Sequence, residues 1–177
     1  MIVFDVSTLI LIANAELLDS FLTGVALEAV IPIEVEKECC AVKKSLDALL
    51  IQKALDESRL KVIAVKSKKL VVKLQGDFGL GRGEAEAIVL VLAEKAQVIG
   101  IDDKNGINAC RLLGIAFTTA IGILVRSREM GLLTGSEALG KLTTLAKHGV
   151  IKNQFSKMPD GNWRHDNEQD HEYPDGS

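Results

Sequence analysis

Five carboxylates carry the chemistry this sequence could perform. Asp5 closes the apolar run Met1-Ile2-Val3-Phe4, and Asp102 and Asp103 close a second run, Val98-Ile99-Gly100-Ile101. A short buried strand that ends in an acid puts that charge at the rim of a parallel sheet, where open α/β folds hold their ligands. Glu38 lies on the segment after Pro32, and Glu84 opens a helix after a glycine-rich stretch. Carboxylates gathered in one cleft repel each other unless a proton or a cation intervenes, so the pattern points first to Mg²⁺ or Mn²⁺. A divalent ion held by such acids and by water can orient a water, polarise a phosphoryl oxygen and neutralise developing charge. That chemistry needs neither histidine nor cysteine.

Each acid also has a plainer explanation. Asp5 could cap the helix that follows it, and Glu84 and Glu86 sit in a helix's first turn, where acids favour the macrodipole in any case. Glu34, Glu36 and Glu38 could form a solvated face, and Asp102-Asp103 before Lys104-Asn105-Gly106 could be a turn. The functional reading rests on their joint placement, which depends on the elements that carry them.

Those elements alternate. Ile2 to Asp5, Val30-Ile31, Leu60 to Val65, Val98 to Ile101 and Ile115 to Phe117 read as strands. Thr8 to Phe21 reads as one helix with Ser7 or Thr8 as its N-cap, and Pro32 suits the first turn of a second helix. Ser45 to Leu60 is amphipathic, with Leu46, Leu49, Leu50, Ala54 and Leu55 on one side. Lys66 to Leu74 is basic and helical, and Gln75 to Gly83, with four glycines, reads as a loop into the helix Glu84 to Lys95. Gly106 to Leu113, Ala120 to Met130 and Gly135 to Lys147 complete the helices. Strand and helix in alternation, with gaps long enough for crossovers, predict an α/β fold: a parallel sheet of about five strands covered on both faces.

At 177 residues and 47% hydrophobic content the chain can bury one sizeable core. The expected division is one domain over 1–150 and a polar, acidic, disordered extension over 151–177. No apolar stretch reaches the length of a membrane span and no secretory leader is evident, so the expectation is a cytoplasmic protein without a membrane partner. Three cysteines, two of them the adjacent pair Cys39-Cys40, make neither a disulfide framework nor a metal knuckle. The formal charge of −3 conceals an asymmetry: residues 159–177 hold six acids and one base, leaving 20 bases against 18 acids before them. A mildly basic body that keeps its acids in one pocket is compatible with a polyanionic substrate.

The ordered segments Phe4-Asp5-Val6-Ser7-Thr8-Leu9-Ile10, Gly83-Glu84-Ala85-Glu86-Ala87-Ile88 and Ile101-Asp102-Asp103-Lys104, followed by Gly114-Ile115 and Gly131-Leu132-Leu133, resemble the PIN-domain ribonucleases. Within that superfamily the chain looks most like the prokaryotic branch related to VapC-type toxins, over about residues 1–148. The resemblance implies a three-layer α/β/α fold whose acids bind Mg²⁺ or Mn²⁺ for endonucleolytic cleavage of RNA. It implies catalytic roles for Asp5, Glu38, Glu84, Asp102 and Asp103, with Asp5, Glu84 and the aspartate pair as metal ligands. Ser7, Thr8 and Lys104 are then candidate substrate contacts. It also implies a homodimer and a small antitoxin protein that blocks the pocket. Two positions depart from the branch: Ile107 stands where an arginine is common, and Thr119-Ala120 where a Gly-Thr pair is common.

Other signals are weaker. Lys43, Lys44, Lys61, Lys66, Lys68, Lys69 and Lys73 could hold an RNA backbone by charge or be a solvated face, and at 4% aromatic content base stacking is not the expected mode of recognition. The tail acids and His165 and His171 read as a flexible extension rather than a metal site. Gly79, Gly81 and Gly83 lack the lysine of a phosphate-binding loop. Two alternatives remain: a catalytically weak PIN-like module that binds RNA or protein, and a haloacid-dehalogenase-like phosphatase with Asp5 as nucleophile. The second expects another aspartate where Ser7 stands.

Overall fold

The computed structural model describes residues 1–40 and 45–148. Five strands form one parallel sheet: β1 (Ile2–Phe4), β2 (Ala29–Pro32), β3 (Leu60–Ile63), β4 (Val98–Gly100) and β5 (Phe117–Thr118), in the order β3-β2-β1-β4-β5. Phe4 pairs with Gly100 and Ala29 with Leu60, so the strand ends are closely in step. The helices are α1 (Val6–Asn14), α2 (Leu18–Gly24), α3 (Ile33–Cys40), α4 (Leu46–Asp56), α5 (Lys68–Phe78), α6 (Arg82–Glu94), α7 (Lys104–Leu113), α8 (Ala120–Glu129) and α9 (Gly135–Lys147).

The strands are apolar on both faces because both are covered. Ile2, Phe4, Ala29 and Ile31 pack with Leu9, Ile12, Val35, Ile51, Ile123 and Leu145 of α1, α3, α4, α8 and α9. Val3, Val30 and Ile99 point the other way, against Val71, Leu74, Ile88, Leu90 and Ala109 of α5, α6 and α7. This period-two division of each strand between two cores is the three-layer α/β/α architecture. Among the described residues no single helix is long and apolar enough to cross a membrane.

Five local expectations are corrected in whole or in part. The helix expected over Thr8 to Phe21 is two helices, broken where Glu16 takes a positive φ of 52°. Lys141 Nζ donates to the carbonyls of Ala15 (3.0 Å) and Glu16 (2.9 Å), so a cation seals the end of α1. Its N-cap is Asp5, not Ser7 or Thr8. Pro32 closes β2, beside Ile63, and the helix begins at Ile33.

On α4 the expected apolar face holds in part: Ala54 is buried and Leu50 and Leu55 pack against the core. The buried residues are Asp47, Ala48, Ile51 and Ala54, whereas Leu46 and Leu49 are 50% and 60% exposed. Small side chains at Ala48 and Ala54 let α4 approach α1 and α3, and leucine periodicity alone did not reveal that choice. The glycine loop is also shorter than expected. α5 runs on to Phe78, Gly79 ends it at φ 65°, and α6 has begun by Arg82. The acidic extension expected over 151–177, and Lys43 and Lys44, lie outside the described residues.

Candidate active site

All five strands are parallel, so their carboxyl ends share one rim. The chain fills positions β1, β2 and β3 in one direction and then crosses to the other side of β1 for β4, which makes the β1/β4 boundary the point where strand order reverses. Helices diverge there, and the crevice they leave is the usual ligand position in such sheets. Asp5 follows β1, its N–H donating to the Gly100 carbonyl at 3.0 Å, and Asp102 lies two residues beyond β4.

Two small side chains tie these acids together. Thr8 N–H donates to Asp5 Oδ1 (2.9 Å) while Thr8 Oγ1 donates to Asp102 Oδ2 (2.7 Å). Ser7 Oγ donates to Asp5 Oδ2 (2.6 Å) and accepts from Asp102 N–H (3.3 Å). The Ala120 N–H, first in α8, adds a bond to Asp102 Oδ2 at 2.8 Å. Gly100 makes room for this arrangement, since a Cβ there would sit 2.7 Å from Phe4 Cδ1 and 3.1 Å from Thr8 Cγ2. Asp5 is fully buried, and Asp102 Oδ1 is buried with no hydrogen-bond donor among the described residues.

A second acidic group forms around the start of α6. Glu38 Oε1 reaches from α3 to accept the Gly83 N–H at 3.2 Å, and Glu84 Oε2 accepts the Gly81 N–H at 2.9 Å. Both therefore satisfy otherwise orphaned donors of a helix start. Gly83 is required by close approach: a Cβ would stand 2.9 Å from Glu38 Oε1 and 2.9 Å from Val6 Cγ2. Asp103 caps α7, its Oδ1 accepting from Asn105 N–H (2.7 Å) and Gly106 N–H (3.0 Å). The aspartate pair thus divides: Asp102 turns toward Asp5, and Asp103 toward its own helix.

Burial dominates the electrostatics. Asp5 is pushed up to about 7 by desolvation, against the bonds from Ser7 and Thr8, and the Asp102 charge raises it further. Asp102 and Glu84 are also raised by burial, Glu84 additionally by the charges of Asp103 and Glu38. Cys110, buried on α7, is pushed up to about 11 by desolvation and then by Asp5. Carboxylates buried at this cost are stabilised by a bound proton or by a cation.

Among the described residues no three His, Cys, Asp or Glu side chains converge as a ready-made metal cage. The donor set nevertheless fits Mg²⁺ or Mn²⁺, because Mg²⁺ keeps several waters and takes one or two carboxylates with substrate oxygens for the rest. Asp5 and the unsatisfied Asp102 Oδ1 supply such a pair, while Glu38 and Glu84 form a separate group.

Thr8 is fully buried with its hydroxyl on Asp102, so it positions that carboxylate and is not placed to touch a substrate. Ser7 is held between the same two acids, whereas Lys104, first in α7, is exposed. At the two departures, Ile107 is a partly buried apolar residue, and Thr119-Ala120 provides the α8 cap and the N–H on Asp102. A backbone donor there is invisible to any reading by residue type. Glu86, which the sequence offers only as a first-turn acid, is buried, accepts from Arg82 Nε at 3.3 Å and accepts the Glu34 N–H at 3.4 Å, joining α6 to α3.

No curated protein matches the chain. A family model described as a PIN domain matches residues 1–155, most of the chain, and PIN domains are in general nucleases acting with divalent metal ions. That match sets aside the phosphatase alternative, as does a hydroxyl, Ser7, donating to Asp5 where a second carboxylate was required. By its sequence over these residues, its five-stranded parallel sheet and its acidic switch point, the chain belongs to the PIN-domain family.

Proposed function

We propose that this protein is a metal-dependent endoribonuclease in which Asp5 and Asp102 hold Mg²⁺ or Mn²⁺. The observation that carries the reading is Asp102 Oδ1, a buried carboxylate oxygen without a donor, beside a fully buried Asp5 at the β1/β4 switch point. A burial cost of that kind persists where a function offsets it.

A divalent ion bound there would orient the attacking water and neutralise charge developing on the scissile phosphate. Thr8, Ser7 and the Ala120 N–H fix the two carboxylates so that neither has to reorganise on binding. Glu84, half-buried with its proton affinity raised, and Glu38 line the same rim and complete the catalytic set. Asp103 holds the α7 start that carries Lys104, an exposed cation for substrate phosphate.

The test is cleavage of structured and unstructured RNA in Mn²⁺ by full-length protein freed of any partner. Asp5→Asn and Asp102→Asn should each abolish cleavage while the fold survives. Parent-like rates in either variant would remove that residue from the site. The reading extends to a cytoplasmic toxin, a homodimer and an antitoxin peptide seated over the acids. Growth arrest on expression, rescued by Asp102→Asn, tests that extension.

A further inference from the structure

The site described above repels the substrate proposed for it. Five carboxylates stand on one rim, so affinity for a polyanion has to come from cations beyond them. Several basic residues are already engaged. Lys61 pairs with Glu28 (2.8 Å), Lys73 with Asp77 (2.7 Å), Lys37 with Glu34 (3.7 Å), and Arg82 lies between Glu34 and Glu86.

Lys66, Lys68 and Lys69 differ. All three are exposed, and among the described residues none has an ion-pair partner. They follow Ile63, the last residue of β3, in the segment that leaves the sheet at the carboxyl rim shared with the acids and opens α5. β3 is two strands from β1, a lateral offset of about 10 Å at the usual strand spacing. Lys104, also exposed, lies on the other side, just after Asp103. In strand order, the lysine cluster follows β3, the acids follow β1 and β4, and Lys104 follows β4. α5 keeps the cluster in place: it buries Val71 and Leu74, and its end at Gly79 accepts a bond from Asn105 of α7 at 3.2 Å.

We propose that Lys66, Lys68 and Lys69 form an electrostatic track that holds an extended single-stranded RNA backbone as it crosses the strand ends toward the acidic cleft. The track contacts phosphates and not bases, since only 4% of the chain is aromatic and a stacking platform is not available from so few rings. Binding is accordingly tolerant of sequence and sensitive to salt. The proposal rests on the ribonuclease reading for its substrate, but its test does not need cleavage.

The experiment is fluorescence anisotropy of full-length protein with a labelled oligouridine in EDTA, across a KCl series. The variant K66Q/K68Q/K69Q is compared with K53Q/K61Q/K95Q, which removes the same charge toward the amino-terminal edge of the strands. Loss of three phosphate contacts lowers the slope of log affinity against log salt by about 2, and affinity at 0.1 M salt by roughly ten- to a hundredfold. The control should keep the parent slope, and thermal melts of both should match the parent. Equal slopes in the two triple variants would overturn the track even if the parent cleaves RNA. Tighter binding by K66Q/K68Q/K69Q would overturn it too. A fallen slope in a protein that never cleaves RNA with Mn²⁺ would keep the track and refute the nuclease reading.

Discussion

Asp5 makes the metal-free protein less stable as pH rises, and Asp5→Asn should remove that penalty. The carboxyl is fully buried and its pKa moves from an ordinary 3.8 to about 7. The folded state therefore binds its proton more tightly than the unfolded chain does. The contribution to stability is complete below about pH 3.8 and is lost as pH climbs through about 7. About three pH units at about 1.4 kcal/mol each amount to about 4 kcal/mol, a large share of a typical domain's total stability. Asparagine keeps the cap, since its Oδ1 can accept the Thr8 N–H and its amide can donate to Ser7 Oγ once that hydroxyl rotates. In EDTA at pH 8, Asp5→Asn should gain up to about 4 kcal/mol by urea denaturation, or about 10 °C in Tm, with the gain vanishing near pH 4. Asp102 and Glu84 are raised in the same direction, so a smaller slope of the same sign persists in the variant. Saturating Mn²⁺ should then stabilise the parent and not the variant. A variant less stable than the parent at pH 8, or a difference independent of pH, would refute the reasoning.

The other predictions follow from single contacts. Thr8→Val deletes the 2.7 Å bond to Asp102 while keeping the backbone cap on Asp5, and should weaken Mn²⁺ binding by roughly 10- to 100-fold in calorimetry with little change in fold. Asp103→Asn preserves the α7 cap and should retain cleavage, whereas Asp103→Ala should cost about 1 kcal/mol in denaturant unfolding; abolished cleavage in Asp103→Asn would return that residue to the metal site. Gly83→Ala drives a methyl toward Glu38 Oε1 and Val6, and should cost about 1–3 kcal/mol by thermal unfolding, with slower cleavage from the displaced Glu38.

Strand positions were legible in the sequence because buried parallel strands are continuous apolar runs, and Ile2–Phe4 and Val98–Gly100 are hardly anything else. The acids that close them marked the site for the same reason. What could not be read depends on contacts between distant residues. Asp102 and Asp103 are equivalent in type, and only the packing of α7 and α8 sends one toward Asp5 and the other to a cap. Thr8 and Ser7 read as polar neighbours of Asp5, but that Thr8 bonds both carboxylates, and Ser7 the Asp5 carboxylate and the Asp102 N–H, depends on β1 and β4 being adjacent, although β2 and β3 intervene in the chain. The exposed leucines of α4 have a similar origin: Leu46 and Leu49 look like core, yet Ala48 and Ile51 join Ala54 in facing it, where α1 packs closely. Gly83 read as loop because helix propensity penalises glycine; Glu38 and Val6, distant in sequence, are what require it.

The account stands on Asp5 and Asp102 sharing one cation, and a crystal of the full chain soaked in Mn²⁺ tests that directly by anomalous diffraction. The predicted result is a single strong peak at the β1/β4 switch point, about 2.1 Å from Asp102 Oδ1 and from an Asp5 oxygen, absent in Asp102→Asn. A peak among Glu38, Glu84 and Asp103 alone, or one unchanged in Asp102→Asn, would contradict it.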